Sequence, residues 1–290
     1  MCGLFYCRST EGLIPFATIR DSLVFLTPKS DYLIFNDMQG KVAVVTGASS
    51  GIGRATAALF AQNGMNVFAV GRNEKELSAL NQSLASSEGS IKIHLADVTE
   101  MSQLERIASE AVESFGKIDV LVNSAGIIKN GSIENTTLDD WDRLMNINLR
   151  AVFILMQKCI PFLAETKGNI VNVSSVAGTR AFPGVLGYCV SKAATDQLTR
   201  CSALELAAKG IRVNAVNPGV VVTNIHKRGG MDESAYEKFL EHSKETHPIG
   251  RTGTPEEVAE LIYYLASDKA SWITGATYEI DGGRAQTCAR

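Results

Sequence analysis

The sequence predicts an α/β protein in which helices cover both faces of a seven-stranded parallel sheet, three layers in one domain. Three observations carry that prediction. From Lys41 onward, short apolar β-branched runs alternate with longer amphipathic segments, the order that winds βαβ units into a parallel sheet. The first of these runs passes directly into a glycine turn and an alanine-rich helix start. The 290 residues, 45% hydrophobic and 20% charged, are enough to bury one large core.

Strands are predicted at residues 42–46, 66–70, 91–95, 119–123, 169–174, 211–216 and 277–280. Helices fall between them at 52–63, 74–86, 101–115, 140–165, 188–208 and 255–267. Val42-Ala43-Val44-Val45-Thr46 sets the strand pattern, continuously apolar because both faces are covered. Gly64 and Gly116 stand where helices need a left-handed C-cap. Thr254-Pro255-Glu256-Glu257 supplies a cap residue, a proline at the first helical position and early acids. Right-handed crossovers bring the strands' carboxyl ends to one edge, where ligands collect at the switch in strand order.

The 224–248 stretch interrupts the alternation with a polar, glycine-containing, partly helical segment and is predicted to be a substrate lid. A single domain spans 38–290, and residues 1–37 form an extension of unknown role. That extension has Phe, Leu and Ile clusters without a period and no apolar run long enough to span a membrane. Its Arg8, Arg20 and Lys29 are offset by Glu11, Asp21, Asp31 and Asp37, unlike an acid-poor transit peptide.

A formal charge of -3 without any Lys/Arg-rich run argues against a nucleic-acid partner. Cys2, Cys7, Cys159, Cys189, Cys201 and Cys288 are scattered, without a CxxC pair or Cys/His spacing for a metal, as expected of reduced thiols. A glycan at the Asn172 sequon could not sit inside a buried strand. The cytoplasm is the expected compartment, with the mitochondrion as the alternative. His94, His226, His242 and His247 make no ligand pattern and read as surface or lid residues.

Gly47-Ala48-Ser49-Ser50-Gly51-Ile52-Gly53 joins the first strand to the first helix. Its glycines permit a tight turn and a close backbone approach, while the helix-start amides face the pyrophosphate of a dinucleotide. An ordinary glycine-rich turn is the alternative, which the placement between strand and helix disfavours. The fold is thus Rossmann-type. At the end of the second strand, where an NAD enzyme offers an acid to the ribose, stands Gly71-Arg72. A 2'-phosphate would find a guanidinium there and no repelling carboxylate, so NADP(H) is preferred over NAD(H). Arg54, after the glycines, is equivocal.

Tyr188 and Lys192 are four residues apart at the start of a long helix, so phenol and ammonium project from one face. A nearby ammonium and a positive nicotinamide would lower the phenol's ordinary value near 10 and make it a proton shuttle. Alone, the pair would read as an interfacial tyrosine and a solvated lysine. Two serines, Ser174 and Ser175, end the fifth strand, and Asn146 and Asn148 are amides within an otherwise apolar helix.

The Gly-xxx-Gly-x-Gly spacing with Thr46 ahead, Asn123-Ser124-Ala125-Gly126, Tyr188-xxx-Lys192 and Asn217-Pro218-Gly219 together resemble the short-chain dehydrogenase/reductase family, from about Lys41 to Gly283. The resemblance implies that Gly47, Ser49, Ser50, Gly51, Ile52 and Gly53 cradle the cofactor. It places Asp97, beside Val98, at the adenine amino group, and Asn123 and Ala125 along the cofactor. It selects Ser175, thirteen positions before Tyr188, as the hydroxyl that holds the substrate oxygen, and leaves Ser174 to pin the strand. It selects Asn148 to bend its helix and hold a water that resupplies protons to Lys192, with a core amide satisfied by backbone as the alternative. Val221 backbone and Thr223 would meet the nicotinamide carboxamide, with Tyr188 and Lys192 also bordering the cofactor.

The implied reaction is hydride transfer between nicotinamide and a carbonyl or secondary alcohol, a small-molecule substrate, with no metal. Gly250 to Ala259 is most similar to members related to 3-oxoacyl-carrier-protein reductases, and a homotetramer through the 140–165 and 188–208 helices and the last strand is implied. A sugar-nucleotide epimerase or dehydratase would want a second domain. A catalytically idle NADP(H)-binding sensor or scaffold would be betrayed by a broken Tyr188 or Lys192, and both are present.

Overall fold

The computed structural model describes residues 37–287, so the 1–37 extension lies, apart from Asp37, outside the described residues. Seven strands form one parallel sheet: β1 (Val42–Thr46), β2 (Asn66–Gly71), β3 (Ser90–Leu95), β4 (Val120–Asn123), β5 (Asn169–Val173), β6 (Arg212–Pro218) and β7 (Thr277–Ile280). Their spatial order is β3-β2-β1-β4-β5-β6-β7, and every neighbouring pair is parallel. The order reverses between β1 and β4, which opens a crevice above their carboxyl ends.

The helices are α1 (Gly51–Gln62), α2 (Glu74–Ser83), α3 (Met101–Leu104), α4 (Ile107–Phe115), α5 (Leu138–Met145), α6 (Ala151–Thr166), α7 (Leu186–Leu206), α8 (Ile225–Arg228), α9 (Glu233–Thr246) and α10 (Pro255–Ala266). Successive strand residues feed two separate cores. Ala43, Val45, Val67, Ala69, Val120 and Val122 pack toward Phe60 of α1 and Ile262 and Leu265 of α10. Val44, Phe68, Val70, Leu121 and Ile170 pack toward Ile107 of α4 and Leu155 and Cys159 of α6. Burying a side chain of this size stabilises the fold by about 1.5–3 kcal/mol each, which explains why the strands are apolar throughout.

The element ends depart from the sequence reading where side chains compete for backbone. α2 stops at Ser83 because the Ser83 and Ser87 hydroxyls donate to the Leu80 and Leu84 carbonyls. The helix expected over 101–115 is divided by a turn at Glu105 and Arg106, and that expected over 140–165 is α5 and α6 joined by a π-helical turn at Asn146–Arg150. Among the described residues, Leu138–Thr166 is the one helix long and apolar enough to cross a membrane. Half of its apolar window is buried in the protein, as in a core helix. Thr254 caps α10 with a full capping box to Glu257.

Candidate active site

The turn after β1 is one that glycine alone can make. Gly47 has φ 70°, and a Cβ on it would lie 2.9 Å from the Ala125 amide nitrogen. A Cβ on Gly53 would lie 2.5 Å from the Gly47 carbonyl oxygen, so α1 can start this close to β1 only without a side chain there. Ser50, the N-cap of α1, makes no side-chain capping bond. The first amides of α1 are therefore offered, with the positive end of its dipole, to whatever occupies the crevice.

That crevice is a cavity of about 500 Å³. Gly47, Ser49, Ser50, Gly51, Ile52, Arg72, Asp97, Val98, Ala125, Ser175, Tyr188, Lys192, Val221 and Thr223 all line it. Gly53, Asn123 and Asn148 stand behind its walls. Asn123 donates 2.8 Å to Asn172 and ties β4 to β5, while Thr46 Oγ1 accepts from the Ser124 and Ala125 amides and fixes the loop after β4.

Ser175, Tyr188 and Lys192 converge at one end. Ser175 Oγ accepts from the Ala177 amide at 3.1 Å and shares a hydrogen bond with the Tyr188 hydroxyl. Lys192 Nζ lies 5.7 Å from the centre of the Tyr188 ring and donates 2.8 Å to the Val173 carbonyl. Burial pushes the Lys192 ammonium down to about 8, against the pull of Asp196, so it is still charged at neutral pH. Tyr188 differs from the expectation that the lysine lowers its pKa. Burial raises the phenol above its ordinary value, with the Ser175 hydrogen bond opposing, because the ammonium is turned to the Val173 carbonyl. An oxidised nicotinamide, the second positive charge invoked from sequence, would favour the phenolate if bound beside it.

Asn148 lies in the π-helical turn and clamps one residue from both sides. Its Oδ1 accepts from the Ile127 amide and its Nδ2 donates to the Ile127 carbonyl, both at 2.9 Å, with a third bond of 3.0 Å to Ser191 Oγ. The side chain is thus an amide satisfied chiefly by backbone, fixing the strand-end loop against α7. Ser174 pins β5 to α7, its hydroxyl donating to the Lys192 carbonyl. Below them, Asn217 donates to the Ser175 carbonyl and to Asp196, a buried carboxyl raised by desolvation.

At the opposite end, Arg72 is not free of carboxylates as the sequence suggested. Its guanidinium lies 3.2 Å from Asp97, because the loop after β3 brings that residue alongside the end of β2. Asp97 also accepts from the Thr99 amide and hydroxyl. Burial pushes its carboxyl up, but the Thr99 bonds and Arg72 outweigh it and hold it below the ordinary value. Arg54 turns away from the cavity, onto Glu76.

The predicted lid is α8 and α9, and it contributes residues that the sequence did not single out. Arg228 of α8 donates 3.0 Å to Ser50 Oγ in the glycine turn. His247, expected at the surface or in a mobile lid, is 2% exposed. Its Nδ1 pairs with the Ser243 carbonyl at 2.6 Å, which assigns Nε2 as the acceptor of the Val220 amide at 3.1 Å. Burial keeps this ring neutral. His94 lies in β3, packed on Phe68 and paired with Glu110. Val221 is pinned from the other side, since Gly253 donates to the Val220 carbonyl and Val222 to that of Gly253. The His-Lys-Arg run at 226–228 was the signal available for Arg228, but only the fold brings it to Ser50.

An uncapped helix start, a turn with no room for Cβ atoms and a phenol beside an ammonium fit a nicotinamide dinucleotide lying along the cavity, and they define an NAD(P)-dependent oxidoreductase. Comparison with known proteins makes the relationship definite. The family described as Enoyl-(Acyl carrier protein) reductase matches residues 47–285. The chain is 41% identical over 247 residues to the 3-oxoacyl-[acyl-carrier-protein] reductase of Thermotoga maritima, spanning 85% of this chain and 98% of that one. It is 36% identical to a cyclohexanol dehydrogenase of an Acinetobacter species, over 86% of this chain and 97% of the relative. A solved short-chain dehydrogenase/reductase of Caenorhabditis elegans superposes with a TM-score of 0.83 at 39% identity, covering 87% of this chain and 98% of its own. The chain belongs to the short-chain dehydrogenase/reductase family.

Proposed function

We propose that this enzyme is an NADP(H)-dependent carbonyl reductase or alcohol dehydrogenase, acting on a small ketone or a 3-oxoacyl thioester. The observation that carries the reading is the convergence of Ser175, Tyr188 and Lys192 at the end of a cavity whose other end is the glycine turn. The nicotinamide, when bound, supplies or takes the hydride. The chain's own residues handle the oxygen and its proton. Ser175 Oγ accepts from the Ala177 amide, so its own hydrogen is the one that faces Tyr188 and can pass to the substrate oxygen as charge develops there. Tyr188 gives that oxygen its proton in reduction and takes it back in oxidation. Lys192 keeps a buried ammonium 5.7 Å from the centre of the Tyr188 ring, and turning it off the Val173 carbonyl would let it stabilise the phenolate left behind. Asn148 positions Ile127 and Ser191, and so the loop and helix that flank the reacting atoms.

Arg72 supports NADP(H) despite its Asp97 partner. The pair is half-exposed, and such surface pairs contribute about 0–1 kcal/mol, too little to keep the guanidinium from a phosphate. Arg228 adds a cation over the glycine turn. Exposed Phe153, Val190 and Leu204 on α6 and α7, with Trp272 before β7, support a homotetramer through those helices and the last strand. The Thermotoga and Acinetobacter relatives favour C=O/CH–OH chemistry but differ in substrate. The test is oxidation of NADPH and NADH with a panel of ketones, diketones and 3-oxoacyl thioesters. Turnover with NADPH preferred supports the reading, and tight NADPH binding without turnover of any member refutes it.

A further inference from the structure

One cation on the cavity wall, Arg284, has no ion-pair partner among the described residues. Arg284 follows β7, at the sheet edge opposite to β3 and β2, and it lines the cavity on the side of Phe182 from the loop between β5 and α7. Its guanidinium lies 5.2 Å from the centre of the Phe182 ring, and one nitrogen donates 3.1 Å to the Thr246 carbonyl. An arginine has five N–H donors, so most of the fork is left for another acceptor.

The Asp281 carboxylate favours the Arg284 cation from nearby, but its oxygens are taken up by backbone amides. Asp281 accepts from the Gly283 amide at 2.9 Å and from the Ala285 amide at 2.6 Å, and among the described residues Arg284 makes no ion pair. His247, also near, is held neutral by burial. Burial disfavours the Arg284 cation and the Asp281 charge only partly opposes it, so an anion brought onto the free donors of the fork would offset the remaining desolvation cost.

The rest of the cavity is disposed the same way. Asp97 is the one acidic residue among those lining it, and it is paired with Arg72 at the other end. Arg72 and Arg228 stand on the cofactor side, at the end of β2 and over the glycine turn. Phe182, which lies under the Arg284 guanidinium, and Val185, Met231 and Phe239 make part of the cavity lining apolar. We propose, resting on the reductase reading above, that the substrate carries an anionic oxygen group, carboxylate or phosphate, separated from its reacting carbonyl by an aliphatic stretch, and that Arg284 binds that group. A planar fork suits either anion, because both offer two oxygens side by side.

The test uses the full chain with NADPH and matched pairs of substrates: 4-oxopentanoate, 6-oxoheptanoate and 8-oxononanoate against their methyl esters, and acetoacetyl-coenzyme A against the neutral acetoacetyl-N-acetylcysteamine. In the wild type, kcat/KM for the charged member should exceed that for its neutral partner by at least tenfold for one chain length or for the coenzyme A pair, and which pair shows it identifies carboxylate or phosphate as the source. In Arg284→Gln that ratio should fall toward one, carried by KM rather than kcat, and Arg284→Lys should restore part of it. A wild-type ratio near one, or an Arg284→Gln ratio equal to the wild type's, overturns the proposal while turnover of the neutral members leaves the reductase reading standing. If no pair is turned over, that reading fails for these substrates. Calorimetric binding of the oxo acids to the NADP-loaded protein then decides separately, with loss of wild-type affinity in Arg284→Gln supporting the anchor and equal affinity overturning it.

Discussion

At the Tyr188 end of the cavity the polar side chains are held by buried hydrogen bonds, whereas at the Arg72 end one half-exposed ion pair does the holding. Lys192 is fixed to the Val173 carbonyl, Ser175 to the Ala177 amide, and Asn148 to both sides of Ile127. Arg72, 57% exposed in its side chain, meets only Asp97. Proton transfer fails when donor and acceptor drift by a fraction of an ångström, so its groups must be located before the substrate arrives. Recognition of a phosphate, proposed for Arg72, requires mainly charge within reach, and an exposed guanidinium meets that need. The difference teaches that mutations at the first end should strike kcat and those at the second should strike cofactor KM.

The largest effect should come from the rigid end. Ser175→Ala is expected to lower kcat by about 10²–10³, the usual cost of losing one donor to a developing oxyanion, while NADPH affinity measured by fluorescence stays within a few-fold. A large loss of NADPH affinity with kcat intact would invert the comparison. Arg72→Ala should raise the KM for NADPH by about 10- to 150-fold, in line with about 1.5–3 kcal/mol for a charged hydrogen bond, and change that for NADH little. An equal change for both cofactors would remove Arg72 from phosphate recognition.

The smallest effect belongs to the histidines. Burial lowers His94, His226 and His247 below the ordinary value of 6.5, so the unfolded chain takes up protons that the folded one refuses. Their contribution is fully present above pH 6.5 and is lost as pH falls from there through the lowered folded values. The Tm should therefore drop between pH 6.5 and 5, and His247→Gln, which keeps an acceptor near the Val220 amide, should make that drop shallower. An unchanged slope in the variant would show that His247 does not couple pH to the cofactor loop.

Most strands were legible to within two residues because both their faces are buried, which forces a continuous apolar run such as Val42 to Val45. Of the π-helical turn only the bend that the resemblance implied at Asn148 was legible, since Asn146 to Arg150 keeps the apolar period of its neighbours while adding one residue to a backbone ring. At the site, short-range signals survived translation into three dimensions: the glycine turn, the Tyr188 and Lys192 spacing and the strand-end serines all reach one cavity. What escaped are pairings made by the fold. Arg72 and Asp97 are 25 residues apart in sequence, and Arg228 is 178 from Ser50. His247 looked like a lid residue because nothing local announces that its Nε2 will meet the Val220 amide.

The central claim is that Tyr188 carries the proton at a site built in advance around it. It is tested most directly by Tyr188→Phe in single-turnover reduction of a substrate accepted by the wild type, with NADPH binding measured on the same sample. The account predicts a rate reduced by about 10²–10⁴, the span of general acid catalysis, with NADPH still bound and the Tm little changed. A variant that reduces the carbonyl at the wild-type rate would contradict it.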